Sequence, residues 1–442
     1  MLKGRLRASL RHQRTLMQPS RRLDLDKAPT HCACGPLAAQ PVAAPGRVHS
    51  TPSLRILHII TGLSLGGAEM MLFKLLSRWD RSRFSGAVVS LTPVGPVGER
   101  IAAQGIGVSS LNMRRGLPNP LSILRLAGRI RAFAPDVVQT WMYHADLIGG
   151  LAAVLAGGYP IVWGIRNGTL KPGKSSASAI WSARACARLS RFLPKRILCC
   201  SESARRVHGA LGYDMGRMRV IPNGFDLEEF KPDPLARWAV RQELGLDANA
   251  ILLGLIARFD PQKDHGTLIR ASARLREAWP QLHFVLCGED VTWGNRELAG
   301  RIEKASMRTR FHLLGRRLDI PRVAAALDLA CLCSRSEAFP NVVGEAMACG
   351  VPCVVTDVGD SAAIVGQTGI VVPPAEPEAL AAGIGRLLEM GPEGRRKLGE
   401  AARARVLENF SLDRVVREYQ GLYCQVAAEA QRSQGSGRLR AR

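Results

Sequence analysis

The sequence contains few aromatic residues, which make up 5% of its 442 residues, against 46% hydrophobic residues. This composition is typical of a soluble globular protein. One charge-free run, 147–165, is long enough to suggest a membrane span, but it contains Gly157-Gly158-Tyr159-Pro160, which predicts a helix end followed by a strand. We therefore predict no transmembrane helix.

The 11 cysteines lack the paired Cys-x-x-Cys spacing of zinc sites. Cys199-Cys200 and Cys331-x-Cys333 lie in apolar strand patterns. We expect reduced, buried cysteines that serve as small hydrophobic residues in a cytosolic protein.

The first 53 residues lack an apolar run long enough for a secretory signal. They are rich in arginine and proline and carry a net charge of +7, which predicts a basic, disordered N-terminal extension. A basic tail or a later translation start, such as Met17, explains this segment better than an organellar transit peptide. The absence of acidic residues before Asp24 leaves the transit peptide open.

The length and the strand pattern predict two domains. Short apolar strands alternate with amphipathic helices, and the strands lie near 54, 87, 136, 160 and 196 and then near 251, 283, 311, 329, 352 and 369. Such alternation indicates parallel sheets with right-handed helical crossovers. Two long amphipathic helices are predicted to end the chain, over 393–410 and 412–430.

Two carboxylates frame the nine-residue segment from Glu337 to Glu345. Pro340 and Asn341 favour a helix start, so Glu345 is predicted about one turn into a helix and Glu337 on the loop before it. A helix N-terminus suits a phosphate, and carboxylates accept hydrogen bonds from sugar hydroxyls. The segment has the chemistry of a sugar-phosphate site, although a solvated helix end explains it equally well when it is taken alone.

Arg258 and Lys263 follow a predicted strand, 251–256, and precede a helix that begins at His265. At the carboxyl end of a parallel strand, a guanidinium and an ammonium group can hold a diphosphate from two sides.

A glycine loop and a turn complete the set of motifs. The loop from Gly62 to Gly67 leads from strand 54–61 into a helix, and the Pro-Asn-Gly turn within 221–226 suits a hinge. In this order and combination the motifs resemble the retaining family 4 glycosyltransferases. The resemblance covers roughly residues 54 to 425.

The resemblance implies an α/β protein of GT-B fold, with two Rossmann-like parallel-sheet domains that face a central cleft. We expect an acceptor-binding domain over 54–222, a nucleotide-sugar-binding domain over 223–412 and a C-terminal helix, 413–430, that packs back on the first domain. The flanking segments 1–53 and 431–442 are expected to be disordered and basic.

The resemblance also implies the substrates and the site residues. The donor is expected to be a nucleoside diphosphate sugar, the acceptor a glycan or a lipid-linked saccharide of the cell envelope, and no metal or other cofactor is expected. Arg258 and Lys263 would stabilise the departing diphosphate, and Glu337 would hold the transferred sugar rather than act as a nucleophile. The expected nucleotide-sugar site comprises Gly66, Gly67, Arg258, Lys263, Glu337, Asn341, Val342 and Glu345.

Four positions depart from the family pattern. The family often ends its fourth strand with His-x-His, whereas Gln139 and Trp141 stand there in this chain. His144 is then expected beside the sugar as a catalytic residue, with a structural histidine as the alternative. Arg166 stands where relatives commonly carry a histidine and is expected at the acceptor or the phosphate. Ala363 stands near a position that is often glutamate.

Positive charge is concentrated in the first half of the protein. Residues 54–225 carry a net charge of +16 and residues 226–430 carry −3, which favours an anionic acceptor or an anionic membrane surface over nucleic acid. A cationic stripe with apolar neighbours is predicted at helical spacing, from Trp181, Arg184, Arg188, Arg191, Phe192 and Lys195. Arg184 and Arg188 are expected to bind the acceptor. The protein is expected to be cytoplasmic, with peripheral contact to the inner face of the cytoplasmic membrane, although a solvated helix face also explains the stripe.

Other classes of protein remain as alternatives. A nicotinamide-dependent oxidoreductase is disfavoured because the glycine loop is not Gly-x-Gly-x-x-Gly and strand 87–92 ends without an acidic residue. A catalytically silent GT-B protein is disfavoured because the chain keeps both glutamates, Arg258 and Lys263. A sugar phosphorylase and a nucleotide-sugar epimerase share the fold, and their products would separate them.

Overall fold

The computed structural model describes residues 53–113, 120–170 and 175–440. Residues 1–52 of the predicted extension and residues 441–442 of the predicted tail lie outside the described residues.

The first domain is built on a sheet of seven parallel strands in the order β3-β2-β1-β4-β5-β6-β7. Its strands are β1 (Leu54–Ile60), β2 (Phe84–Ser90), β3 (Gly107–Ser110), β4 (Val137–Trp141), β5 (Ile161–Ile165), β6 (Arg196–Cys199) and β7 (Met218–Val220). Its helices are α1 (Gly67–Ser77), α2 (Pro96–Ala102), α3 (Pro120–Phe133), α4 (Tyr143–Leu155), α5 (Ala177–Leu189) and α6 (Glu202–Ala210). β1 pairs with both β2 and β4, so the strand order reverses there and opens a crevice at the carboxyl ends of the strands.

The second domain is built on six parallel strands in the order β10-β9-β8-β11-β12-β13. Its strands are β8 (Ile251–Ile256), β9 (Leu282–Cys287), β10 (Phe311–Leu313), β11 (Leu329–Leu332), β12 (Cys353–Thr356) and β13 (Gly369–Val372). Its helices are α7 (Pro234–Glu243), α8 (His265–Leu275), α9 (Arg296–Lys304), α10 (Ile320–Ala326), α11 (Asn341–Ala348), α12 (Ser361–Val365), α13 (Pro377–Glu389) and α14 (Gly391–Asn409). The order reverses between β8 and β11.

The last helix, α15 (Leu412–Arg440), returns to the first domain. Tyr419, Tyr423 and Val426 are buried in the same apolar cluster as Ile56 and Trp141 of the first sheet. The structure continues the helix through 431–440, which the sequence assigned to a disordered tail. The Ser433 hydroxyl donates to the Glu429 carbonyl in this segment, at 2.9 Å.

Two connections between the domains run side by side. Phe225, at the predicted hinge, forms a parallel bridge with Ser411. A Cβ on Gly224 would lie 2.7 Å from Leu412 Cα, so the backbone can approach this closely only because glycine has no side chain. The α/β fold with two parallel-sheet domains and a returning helix is therefore confirmed.

The burial of the cysteines agrees with the expectation from the sequence. Eight of the cysteines that the structure describes are buried, and Cys424 is half-buried. In the described part of the chain, no helix combines the length and the apolar character that crossing a membrane requires.

Candidate active site

Helices α1 and α11 begin opposite each other across the cleft. Their N-cap residues, Gly66 and Pro340, make no side-chain hydrogen bond to the helix, whereas the Ser201 hydroxyl caps α6. A Cβ on Gly67 would lie 4.0 Å from Asn341 Nδ2. The two helix N-termini are therefore in near contact, and their unpaired backbone N–H groups suit a diphosphate.

A carboxylate already lies at the N-terminus of α1. Glu69 is in the first turn of this helix, and its side chain fills the space beside Gly66. Burial raises the pKa of the Glu69 carboxyl. A phosphate at α1 would compete with this group, which makes α11 the more available of the two N-termini.

Glu337 lies on the loop before α11, and its side chain is 10% exposed. Lys263 Nζ is 2.6 Å from Glu337 Oε1, and the Ser334 hydroxyl donates to the same oxygen at 2.7 Å. The structure thus brings together Glu337 and Lys263, which lie 74 positions apart in the sequence. Ser334, three residues before Glu337, was missed at the sequence level because a lone serine in a loop carries no distinguishing pattern.

Arg258 is bound to Asp260, with its Nη2 3.2 Å from Asp260 Oδ2, and its side chain is 57% exposed. A guanidinium with this freedom can reorient towards a bound diphosphate, and its role there stays a prediction. Within the described ranges, no three or more His, Cys, Asp or Glu side chains are grouped so that they could hold a metal ion. The expected metal independence also stays a prediction.

Glu345 lies within α11 and forms an ion pair with Lys74 of α1, at 3.7 Å. The two side chains are only 15% and 14% exposed. Burial raises the pKa of Glu345, and the nearby ammonium group opposes this rise. Lys74 was missed because the sequence pattern cannot show that two domains place α1 against α11.

Arg166 connects three parts of the protein at the base of the cleft. Its guanidinium donates to the Tyr419 hydroxyl at 3.0 Å, donates to Asn223 Oδ1 and lies 5.2 Å from the centre of the Trp141 ring. Asn223 in turn donates to Asn341 Oδ1 at 2.6 Å. Arg166 thus links the returning helix and the hinge to the start of α11, and its expected contact with the acceptor stays a prediction.

His144 is the second residue of α4, at the carboxyl end of β4. It is half-buried, burial lowers its pKa, and its Nε2 has no hydrogen-bond partner among the described residues. Met142, the N-cap residue of α4, has φ 75 and ψ 157, a conformation that is costly for a residue with a side chain. This turn therefore carries an imidazole whose Nε2 is both buried and unpaired among the described residues.

The two residues at the family's His-x-His positions are buried under α15. Gln139 Oε1 accepts from the Tyr423 hydroxyl at 3.3 Å, and Trp141 Nε1 donates to His58 Nδ1 at 3.2 Å. The Trp141 ring also stacks on Tyr419 of α15, with ring centres 6.1 Å apart, so both side chains contact the returning helix.

Arg184 and Arg188 lie on the outer face of α5. Together with Arg191, Phe192 and Leu211 they line a concavity of about 540 Å³. Since α5 follows β5 and rises about 1.5 Å per residue, these arginines lie more than ~10 Å along the helix from its cleft end. The structure therefore does not bring them together with Glu337 and Lys263.

Comparisons with known proteins agree with this geometry. Residues 65–229 match the family described as Glycosyltransferase Family 4, and residues 236–405 match Glycosyl transferases group 1. EpsF of Bacillus subtilis is 29% identical over 317 residues, which cover 69% of this chain and 79% of EpsF. The UDP-Gal:alpha-D-GlcNAc-diphosphoundecaprenol alpha-1,3-galactosyltransferase of Escherichia coli is 26% identical over 250 residues, which cover 55% of this chain and 63% of that enzyme.

A solved structure shows the same fold. The crystal structure of Anabaena HepE in complex with UDP superimposes with a TM-score of 0.75 at 24% identity, covering 84% of this chain and all of that chain. One family match lies in each of the two sheet domains. The chain therefore belongs to the glycosyltransferases of family 4 and group 1, with the GT-B fold.

Proposed function

We propose that this protein is a retaining, metal-independent glycosyltransferase that moves a sugar from a nucleoside diphosphate sugar to a lipid-linked saccharide or another cell-envelope glycan. The observation that carries the proposal is the position of Glu337. This residue lies on the loop that enters α11, and Lys263 binds its carboxylate. One sugar diphosphate could then contact a carboxylate that binds its sugar, an ammonium group and a helix N-terminus.

A uridine diphosphate sugar is the donor that the comparisons favour. HepE was crystallised with UDP, and the Escherichia coli relative is named for UDP-Gal. In this chain Glu345 would accept hydrogen bonds from the ribose hydroxyls, displacing Lys74. The diphosphate would lie against the N-terminus of α11, with Lys263 and a reoriented Arg258 beside it.

The proposed reaction breaks the bond between the anomeric carbon and the diphosphate oxygen and forms a bond from that carbon to an acceptor hydroxyl oxygen on the same face. The hydroxyl proton passes to the departing phosphate. Lys263, Arg258 and the backbone N–H of Val342 would stabilise the charge that develops on the leaving group. Gly66 and Gly67 would let the backbone approach the substrates closely, and His144 would contact the sugar.

The acceptor is proposed to reach the cleft from the basic first domain. The Escherichia coli relative is named for a diphosphoundecaprenol-linked acceptor, and the net charge of +16 over 54–225 suits an acceptor of that anionic kind. Peripheral contact of the outer α5 face with an anionic membrane would bring the enzyme to such an acceptor.

The test begins with thermal shifts of the purified protein, without added metal, against UDP, GDP, ADP, CMP, their common sugar conjugates and NAD. A ligand at a hundred times its dissociation constant adds about 2.7 kcal/mol of stability. We expect a shift with one nucleoside diphosphate and its sugars, which Arg258→Ala weakens, and a product with the donor's anomeric configuration by NMR. A shift with NAD alone, or an inverted product, would contradict the proposal.

A further inference from the structure

The peptide between Glu337 and Ala338 is held between the two domains. On one side, a Cβ on Gly168 of the first domain would lie 2.7 Å from the Glu337 carbonyl oxygen. On the other side, a Cβ on Gly359 would lie 2.7 Å from the same oxygen, and Gly359 has φ +61. Both contacts are backbone against backbone, so both positions need glycine.

Asp360 attaches this peptide to the first domain. Its two carboxylate oxygens accept the backbone N–H groups of Glu202 and Ser203, at 2.8 and 2.9 Å, at the N-terminus of α6. The helix dipole favours a negative charge there. The backbone N–H of Asp360 donates to the Ala338 carbonyl at 3.0 Å, and the residue is 8% exposed.

Two hydroxyl contacts flank the same segment. Thr169 Oγ1 is 2.5 Å from Ser336 Oγ, and the Ser203 hydroxyl donates to the Ala338 carbonyl at 3.4 Å. The first domain therefore contacts the chain on both sides of Glu337. The Glu337 side chain is bound within its own domain, by Lys263 and Ser334.

We propose that Asp360 is a positioning residue for Glu337, which acts through Ala338 and touches no substrate. Asp360 links the 337–338 peptide to α6 of the first domain. The Glu337 carboxylate therefore reaches its position at the sugar when the two domains come together. This inference rests on the proposed function, because it takes Glu337 to contact the transferred sugar. Arg258 and Glu345, which would contact the nucleotide, are bound to Asp260 and Lys74 and not to Asp360.

The test compares Asp360→Asn with the wild-type protein by calorimetric titration with UDP, UDP-glucose and UDP-galactose, and by transfer kinetics. The asparagine amide has one oxygen and one NH₂ group in place of two oxygens, so it can accept from only one of the two backbone N–H groups of α6. We expect UDP affinity within about twofold of wild type, loss of the extra affinity that the sugar confers, and a kcat lower by about tenfold. Asp357→Asn, on an exposed side chain of the same turn, is the matched control and should behave as wild type.

A second variant approaches the peptide from the other domain. Gly168→Ala places a methyl group against the Glu337 carbonyl, and we expect the same separation of sugar affinity from UDP affinity. Gly128→Ala in α3 is its control, because a Cβ there meets nothing within 4 Å. Melting curves establish that each variant is folded before its kinetics are compared.

The outcomes distinguish this inference from the proposed function. Wild-type kinetics in both Asp360→Asn and Gly168→Ala would overturn the positioning role and leave the glycosyltransferase proposal standing. Loss of UDP affinity in Asp360→Asn would also overturn it, because the residue would then belong to the nucleotide site. If the wild-type protein neither binds nor transfers any nucleotide sugar, the proposed function fails and this inference fails with it.

Discussion

The Lys263–Glu337 ion pair places a cation and a carboxylate of one domain on the same side of the cleft, at 2.6 Å. Both side chains are mostly buried, so each is costly to leave without its partner. In the proposed complex, a sugar diphosphate would satisfy both charges at once, because the phosphate would bind the ammonium group and the sugar hydroxyls would bind the carboxylate.

We expect Lys263→Met to lower kcat/KM for transfer by about a hundredfold or more, because it removes a charge that stabilises the leaving group. The measurement is initial rates with the donor identified by thermal shift. Lys397→Met is the matched control, on an exposed lysine of α14 that pairs with Glu393. A Lys263→Met enzyme with unchanged kcat/KM would remove Lys263 from the mechanism.

Asp146 contributes a separate pH dependence. It is fully buried in α4, it accepts hydrogen bonds from Thr140 and the Gly164 N–H, and burial raises its pKa to about 8. Below the ordinary carboxyl pKa the group is protonated in both the folded and the unfolded chain. As the pH rises towards 8, the unfolded chain releases this proton before the folded one does, so the free energy of unfolding decreases.

We therefore expect the melting temperature of the wild-type protein to fall between pH 6.5 and 8 relative to that of Asp146→Asn, measured by scanning calorimetry. The difference in melting temperature between the two proteins reports on Asp146 alone. The buried histidines have lowered pKa values and change the stability only below pH 6.5. A pH-independent difference would show that Asp146 is ionised in the folded protein.

At the scale of single elements, α11 is fixed by packing on the hinge. A Cβ on Gly344 would lie 2.1 Å from the Phe225 ring. Gly→Ala in a helix interior normally stabilises by about 1 kcal/mol, but an overpacked methyl group costs roughly 1–3 kcal/mol.

We expect Gly344→Ala to lower the free energy of unfolding in urea and to reduce transfer, because the start of α11 must shift. The matched control is Gly300→Ala in α9, where a Cβ meets nothing within 4 Å and a small stabilisation is expected. Equal stabilisation in both variants would contradict the packing argument.

The strands and helices that the sequence predicted are those with strong apolar patterns. All six strands of the second sheet were anticipated, whereas β3 and β7 were missed because their short sequences, Gly-Val-Ser-Ser and Met-Arg-Val, contain polar residues and no apolar run. Glu337, Lys263 and Arg258 could be named from motifs. Lys74 and Asp360 could not, because their partners lie on the other domain and only the packed molecule brings them together.

At the scale of the whole molecule, charge and apolar exposure coincide on one surface. Trp181 of α5 and Phe192, which follows the helix, are 59% and 77% exposed, on the same outer face as the concavity that Arg184, Arg188 and Arg191 line. The structure describes no ion pair or hydrogen bond of these three guanidinium groups. Exposed aromatic rings beside unpaired arginines suit the interface of an anionic bilayer.

We expect the protein to bind vesicles that contain phosphatidylglycerol and not vesicles of phosphatidylcholine alone, measured by co-sedimentation. Each arginine near an anionic surface contributes about 1 kcal/mol, so replacing Arg184, Arg188 and Arg191 together by alanine should weaken binding by about a hundredfold. The control replaces Arg296, Arg316 and Arg386, three exposed arginines of the second domain, and removes the same charge.

The two triple variants show whether the α5 face or the net charge of the protein causes vesicle binding. If net charge alone attracts the protein, both triples weaken binding equally and added salt abolishes binding in both. If the α5 face is the contact, only the first triple weakens binding, and Phe192→Ala weakens it further while leaving transfer to a water-soluble acceptor unchanged. Unchanged vesicle binding in the first triple would assign these arginines to a solvated helix face and remove the membrane from the proposed route of the acceptor.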